Sequence, residues 1–228
     1  TALPGAPMVC GVAGDQQASL IGQGCVRSGS AKITFGTGGM LDLCLDDRPA
    51  FATQGSGGTF PIVTRSQDGA RRWGVEAVML AAGTNVEWLR DDLAIIDSAE
   101  HSHEVAAACE DAGGVAYVPA LLGLGTPTWD YGARGALLGL TRGSGRPQIV
   151  RAVLEGIAQR AADLVEAAEA DGAVSIPVLR VDGGMSANPT FVQALADATG
   201  RPVEVSPERE ATTLGAAHAA GLALGAWS

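Results

Sequence analysis

The last third of this 228-residue chain alternates strand-like and helix-like segments, and this alternation restricts the possible fold more than any other feature. The segments are residues 178–181, 188–199, 203–205 and 212–224. Asn188 followed by Pro189 is typical of a helix start, and Gly200 is typical of a helix end. A strand, helix, strand, helix series predicts parallel strands joined by crossover helices, so we expect an α/β domain.

The upstream segments predict further strands and helices around the same sheet. Residues 31–35 and 40–45 favour an antiparallel hairpin, because a glycine-rich turn at 36–39 joins them. Additional strands are expected at 8–13, 59–64, 72–80 and 115–119. Helices are expected from Asp15, at 83–93, on the surface within 97–113, and at 147–170, with Gly172 as a left-handed cap. No change in composition separates two domains, so residues 1–228 are treated as a single domain.

The charge balance and the motif inventory exclude several classes of function. Lys and Arg number 15 against 25 Asp and Glu, and this net charge of −10 argues against a nucleic acid or an anionic membrane surface as partner. No apolar run reaches the roughly 18 to 20 residues that span a bilayer. The single lysine, Lys32, follows Ala31 instead of a glycine, which rules out a Walker-type P-loop. No Gly-x-Gly-x-x-Gly occurs, which disfavours a Rossmann dehydrogenase.

The cysteines and histidines give little support to a metal or redox site. No Cys-x-x-Cys pair occurs, so we expect buried, unpaired thiols at Cys10, Cys25, Cys44 and Cys109. His101 and His103 should lie on a solvated face, and His218 should be packed within a helix. Thr1–Pro7 carries no export signal, so a cytoplasmic location is expected.

Three turns combine glycines with a short polar residue at a predicted strand end, namely residues 14–16, 36–39 and 182–184. Bare backbone N–H groups in such turns can approach an anion, and the third turn leads towards a helix start. Each turn alone is most often only a turn, but together they suggest a phosphate cradle. Asp15 could accept the proton of an attacking hydroxyl in phosphoryl transfer, and it could equally be the N-cap of the helix that follows.

Four motifs in the same order resemble those of the FGGY carbohydrate kinases, and of their glycerol kinase branch in particular. They are GVAGDQQA at 11–18, FGTG at 35–38, VPALLGLGTPTWD at 118–130 with its continuation to 143, and RVDGGMSAN at 180–188. The segment AGTNVEWLRD at 82–91 also resembles the helix that borders the nucleotide in this family. The resemblance covers essentially the whole chain.

The resemblance implies an actin-like, ribonuclease H-like α/β domain with a mixed sheet flanked by helices. Such a domain is the C-terminal, nucleotide-binding half of a kinase that uses ATP and Mg²⁺ to phosphorylate a polyol or sugar hydroxyl. The N-terminal sugar-binding domain of the family has no counterpart in residues 1–228, so we expect little or no turnover from this chain alone. The identity of the substrate stays open, since the absent half would supply most contacts to its hydroxyls.

The resemblance also implies residue roles. Asp15 would be the catalytic base and would lie near the Mg²⁺ without binding it directly, and Gln16 would help to hold the polyol. The nucleotide-binding residues would be Thr37 and Gly38 at the phosphates, Gly83 and Glu87 at the nucleoside, and Gly184 and Asn188 at the phosphate and adenosine portions. Two positions depart from the pattern, because Met40 replaces an aromatic residue and Glu87 replaces a glutamine.

Two other functions stay open from the sequence. One is a non-catalytic, actin-like nucleotide-binding or regulatory module, and the other is an interaction domain. The absent half would leave apolar surface uncovered, including around Trp129 and Tyr131, which could drive homo-oligomer formation.

Overall fold

A computed structural model describes residue 5, residues 8–208 and residues 210–226. The prediction about an export signal in Thr1–Pro7 therefore lies outside the described residues, except at Gly5. The strands are β1 (Ala31–Phe35), β2 (Gly39–Leu45), β3 (Phe60–Gln67), β4 (Ala70–Met79), β5 (Ala116–Val118), β6 (Ala136–Leu138), β7 (Leu179–Asp182) and β8 (Val203–Val205). The helices are α1 (Asp15–Gly22), α2 (Gly83–Asp91), α3 (His101–Ala107), α4 (Arg146–Gly172), α5 (Pro189–Thr199) and α6 (Ala211–Ala223).

The main sheet has six strands in the order β3-β4-β2-β1-β7-β8. Strands β1 and β2 form the predicted antiparallel hairpin, and β4 and β3 continue the antiparallel half. Strands β7 and β8 run parallel to β1, as the alternation of strands and helices predicted. The expected mixed sheet is thus confirmed, and the carboxyl ends of β1 and β7 lie side by side.

The two faces of the sheet differ in chemistry. One face buries apolar side chains such as Ile33, Phe35 and Leu43, and the long helix α4 packs against it. On the other face, β1 presents Lys32, which is fully buried beneath α1. Helix α6 packs on α1 so closely that a Cβ at Gly215 would lie 1.8 Å from a carbonyl oxygen of α1.

Most of the predicted elements are present, and the strand predicted at 8–13 is wrong. Residues 8–14 have no regular structure, and Met8 and Val12 are 79% and 90% exposed. The segment passes beside α6, where a Cβ at Gly11 would lie 3.0 Å from the Cβ of Ala219. It pairs with no strand of the described sheet. An apolar segment without a neighbouring strand cannot form the hydrogen bonds between strands that define a β-strand.

The predicted cap at Gly172 is also wrong. Helix α4 includes Gly172, and the left-handed residue is Ala173, with a φ of 51°. A Cβ at Gly172 would lie 3.0 Å from Leu45 and 3.1 Å from Leu43. Gly172 therefore packs tightly on the sheet, and a larger residue there would require the two leucine side chains to shift.

The predictions for the polar stretch 97–113 need correction. Only the short helix α3 forms there, so the predicted surface helix is shorter than expected. It lies at the surface with one side buried, since Glu104 and Ala107 are exposed and Ser102, Val105 and Ala106 are buried. His103 is half-buried, and its Nδ1 lies 2.8 Å from the hydroxyl of Thr190.

The cysteine and aromatic predictions are confirmed in part. Cys25 and Cys44 are buried free thiols, whereas the other two cysteines are only half-buried. Tyr131 is 65% exposed as expected, but Trp129 is half-buried and its indole N–H donates a hydrogen bond to the carbonyl oxygen of Gly58 at 2.7 Å. Among the helices of the described ranges, none combines the length and apolarity that crossing a bilayer requires.

Candidate functional site

A cleft of about 480 Å³ opens where the carboxyl ends of β1 and β7 meet α2 and α3. This is the edge at which parallel strands of α/β sheets usually form a ligand crevice. The cleft contains five of the sequence-predicted nucleotide-binding residues, namely Thr37, Gly83, Glu87, Gly184 and Asn188. They come from the β1–β2 turn, α2, and the connection from β7 to α5, so the fold brings together residues that lie far apart in the sequence.

The β1–β2 turn is fixed to the start of α2 by backbone hydrogen bonds. The N–H of Gly83 donates to the carbonyl oxygen of Gly36 at 2.9 Å, and the N–H of Ala82 donates to that of Thr37 at 2.8 Å. A Cβ at Gly83 would lie 2.6 Å from the Gly36 carbonyl oxygen, so only glycine permits this approach. Gly38 does not line the cleft, and a Cβ there would lie 2.6 Å from the carbonyl oxygen of Met79. Gly38 therefore serves the packing of the turn against β4.

The two glycines after β7 have different roles. Gly183 has a φ of +87°, and a Cβ there would lie 2.3 Å from the carbonyl oxygen of Phe35. Gly184 has no atom within 4 Å of the position that a Cβ would take. It lines the cleft, so the lack of a side chain at 184 keeps that part of the cleft open. A short 3₁₀ turn, Gly184–Ala187, separates this glycine from α5, so the helix starts later than the 182–184 turn suggested.

Asn188 is the N-cap of α5, as the sequence predicted. Its Oδ1 accepts a hydrogen bond from the N–H of Phe191 at 3.1 Å, and its Nδ2 donates to the hydroxyl of Ser102 at 2.9 Å. These bonds tie α3 to α5 across one wall of the cleft. Sequence reasoning missed Ser102, since nothing in its local pattern distinguishes it from other helical serines.

The charged groups at the cleft are mostly acidic. Glu87, Glu100 and Glu104 line it, together with one guanidinium, that of Arg90. Arg90 is paired with Asp91 at 2.6 Å, and this hydrogen bond raises the pKa of Arg90 and lowers that of Asp91. The apolar lining includes Val86, so this end of the cleft offers apolar contact beside hydrogen-bond acceptors.

Asp15 and Gln16 lie at the start of α1 and do not line the cleft. Asp15 is exposed, and its Oδ1 accepts a hydrogen bond from the N–H of Gln16 at 2.9 Å. The N-cap of α1 is Gly14, so the alternative prediction that Asp15 is the cap is wrong. Gln16 accepts a hydrogen bond from Lys32, whose ammonium also donates to the hydroxyl of Thr34 at 2.9 Å. Asp15 and Gln16 therefore lie on the helix that covers the polar face of β1. The cleft, in contrast, lies at the carboxyl end of that strand.

Buried carboxyl groups surround this polar layer. Burial raises the pKa of Asp42, the Lys32 ammonium lowers it, and Asp15 and Asp182 raise it further. Asp182 accepts a hydrogen bond from the hydroxyl of Ser19 at 2.6 Å through one oxygen. Its other oxygen, Oδ1, is buried and has no hydrogen-bond partner among the described residues. The α1 side of the sheet therefore carries more negative than positive charge.

The three glycine turns do not all meet in one place. Gly36 and Gly184, from the second and third turns, line the cleft. Gly14, from the first turn, lines a separate hollow of about 660 Å³ beside α6 and the edge strand β3. The described residues contain no group of three or more His, Cys, Asp or Glu side chains arranged to hold a metal ion.

The topology and the cleft define an α/β domain with a ligand crevice at the strand ends. The model of the FGGY family of carbohydrate kinases, C-terminal domain, matches residues 31–224, and the chain belongs to this family. It is 45% identical over 96% of its length to a glycerol kinase of Halorhodospira halophila, and 48% identical over 96% to one of Trichlorobacter lovleyi. The chain spans 43% and 44% of the length of these two relatives.

A solved structure agrees with this assignment. The crystal structure of Plasmodium falciparum glycerol kinase with ADP superposes with a TM-score of 0.86 at 35% identity, over 94% of this chain and 42% of that one. The expected actin-like fold, with its mixed sheet flanked by helices, is confirmed.

Proposed function

We propose that this chain is the nucleotide-binding, C-terminal domain of an ATP-dependent kinase that phosphorylates a hydroxyl group of a polyol or sugar. The observation that carries the proposal is the convergence of Gly36, Thr37, Gly83 and Gly184 on one cleft at the strand ends. The related glycerol kinase structure with ADP supports a nucleotide as the ligand. Residues 1–228 then form one domain, and a preceding N-terminal domain supplies the rest of the substrate site.

In this proposal the nucleotide occupies the cleft with its phosphates near the β1–β2 turn and Gly184. Thr37 contributes its backbone and hydroxyl at the phosphate end, and Gly38 holds the turn in place against β4. Gly83 and Glu87 border the nucleoside, and Asn188 fixes the wall behind it. Glu87 offers only acceptor oxygens when ionised, so it suits a donor such as an exocyclic amine.

The role of Asp15 as base rests on the resemblance of its motif to the FGGY family and on the exposure of its carboxylate, since Asp15 does not line the cleft. Its carboxylate accepts the proton of the substrate hydroxyl, while the hydroxyl oxygen bonds to the terminal phosphorus and the phosphoanhydride bond to ADP breaks. Gln16 holds the polyol beside it. Most of the catalysis in such a transfer comes from positioning and charge stabilisation.

The residues present are compatible with Mg²⁺ that enters with the nucleotide. This ion usually keeps several waters and is held by phosphates with one or two carboxylates, so no cluster of protein ligands is required. The described residues contain no such cluster, and Asp15 supplies an exposed carboxylate outside the cleft. Mg²⁺ would neutralise phosphate charge, and Asp15 would face it through water.

Titration with Mg·ATP tests the nucleotide site. Gly184→Val should lower the affinity about tenfold or more, a loss of about 1.4 kcal/mol, because its side chain projects into the open cleft. Gly143→Val is a matched control, since a Cβ there meets only Thr141 at 3.6 Å and the residue lies outside the cleft. Asp15→Asn should bind nucleotide as the natural chain does. Equal binding by the Gly184 and Gly143 variants would contradict the proposed site.

A second candidate function is a nucleotide-binding module without phosphoryl transfer. It is favoured by the position of Asp15 and Gln16 outside the cleft, in a chain that spans 43% of its relative's length. A coupled assay of ADP release with glycerol should give little or no turnover by the isolated chain. Turnover in the usual kinase range of about 1 to 100 per second would contradict the interpretation that this chain alone carries only part of the active site.

A further inference from the structure

Lys32 is a buried charged residue that the proposed function does not use. It is the only lysine of the chain, and its side chain is 0% exposed. It is the second residue of β1 and lies on the face of the sheet that α1 covers. Burying an ammonium is unfavourable unless its charge is paired and its N–H groups find acceptors, so this site is built around specific partners.

The Lys32 ammonium makes two hydrogen bonds and one ion pair. The ammonium lies 2.8 Å from Oδ2 of Asp42 and 2.9 Å from the hydroxyl of Thr34, and it donates to Oε1 of Gln16. Asp42 stands directly opposite Lys32 in the β1–β2 ladder, and Thr34 lies two residues along the same face of β1. The sheet therefore fixes two of the partners, and the third belongs to α1.

This arrangement decides the orientation of the Gln16 amide. A glutamine amide has a donor end and an acceptor end, whereas an ammonium can only donate. The oxygen of Gln16 must therefore face Lys32, which leaves Nε2 turned away from it. The carboxylate of Asp15, the preceding residue, can only accept when it is ionised.

We propose that Lys32 is a positioning residue that holds the Gln16 amide with its N–H₂ group turned away from the ammonium, at the helix start that also carries Asp15. The first turn of α1 then carries one donor, the Gln16 N–H₂ group, and one acceptor, the Asp15 carboxylate, for a hydroxyl-bearing ligand. This inference rests on the proposed function for the identity of that ligand. The contact between Lys32 and Gln16, and the orientation of the Gln16 amide, do not depend on the proposed function.

Lysine-selective ¹⁵N labelling tests the contact, because a single lysine gives a single side-chain ammonium signal. A buried, hydrogen-bonded ammonium exchanges slowly with water, so we expect the signal to be visible at neutral pH. Gln16→Met should shift or broaden it, since one of its two hydrogen-bond acceptors is lost. Gln17→Met is the matched control, because the neighbouring glutamine lines the separate hollow and should leave the signal unchanged.

Side-chain amide signals of the glutamines provide the converse test. The double variant Lys32→Met/Asp42→Leu removes both charges together and leaves no unpaired charge in the core. We expect the Gln16 amide signal to move in this variant and the Gln17 signal to stay. If the double variant does not fold, the Gln16→Met experiment decides the question.

An ammonium signal that does not change in Gln16→Met would overturn the inference. An ammonium signal that cannot be observed, because its protons exchange rapidly with water, would also overturn it. Mg·ATP titration of the same samples separates the two proposals. Loss of nucleotide binding with an intact Lys32 response refutes the proposed function alone. Retained nucleotide binding with no Lys32 response refutes the positioning role alone.

Discussion

Replacing Lys32 by methionine should leave a buried carboxylate without its counter-ion. The side chains of Lys32 and Asp42 are both 0% exposed, and their charged atoms lie 2.8 Å apart. Removing one partner of a buried ion pair typically costs about 3 to 5 kcal/mol, whereas replacing both by apolar residues is often nearly neutral. We expect Lys32→Met to lose that much free energy of unfolding at neutral pH, and Lys32→Met/Asp42→Leu to lose far less.

The cost of the single variant should depend on pH, because Asp42 can take up a proton. Burial already raises the pKa of Asp42 while Lys32 lowers it, so removal of Lys32 should raise the pKa further. At pH 7 protonating an ordinary carboxyl costs about 4 kcal/mol, or about 1.4 kcal/mol for each pH unit. A carboxyl with a raised pKa in the folded state destabilises that state at neutral pH, and the penalty fades as the pH falls towards the ordinary value.

Urea unfolding followed by circular dichroism measures this effect across about pH 5 to pH 8. We expect the difference in free energy of unfolding between Lys32→Met and the double variant to fall from about 4 kcal/mol at pH 7 to about 1.5 kcal/mol at pH 5. A gap that does not change with pH would refute the reasoning, as would a double variant as unstable as Lys32→Met.

Three further predictions concern the stability of the fold. Asn188→Ala should cost about 1 to 2 kcal/mol in thermal or urea unfolding, since the N–H of Phe191 loses its cap, and an unchanged midpoint would contradict the capping role. Gly215→Ala should cost about 2 to 3 kcal/mol despite the better helix propensity of alanine, because its Cβ would lie 1.8 Å from a carbonyl oxygen of α1; a variant as stable as the parent in the same assay would refute this packing. Burial raises the pKa of Asp171, but hydrogen bonds from residues 56–59 lower it, and the net result is a lowered pKa. The ionised Asp171 therefore stabilises the fold at a pH above the ordinary carboxyl pKa. This stabilisation is lost as the pH falls through the lowered pKa of Asp171. Asp171→Asn should therefore flatten the acid end of the stability curve, and an unchanged slope below about pH 4 would contradict this.

The sequence predicted the sheet well because its strands and helices carry local signals. Asn188, Pro189 and Gly200 mark the two ends of α5, and the structure has the helix between them. The strand predicted at 8–13 failed because strand formation depends on a neighbouring strand, which a local pattern does not contain. Gly172 was assigned as a cap because its tight packing on β2 cannot be inferred from its place in the chain.

The candidate site could be predicted only in part. Motif resemblance found Thr37, Gly83 and Gly184, and the structure places all three at one cleft. The role of Lys32 was not predicted, because its partners come from α1 and β2 and meet only in the folded chain. Ser102 was missed for the same reason.

The most direct test of the central claim is backbone amide NMR of the chain as Mg·ATP is added. The proposed nucleotide site predicts that the amide signals of Gly36, Thr37, Gly83 and Gly184 shift together and saturate with one affinity, while Gly143 does not respond. Saturable shifts confined to the separate hollow around Gly14, with the four cleft amides unchanged, would contradict the claim.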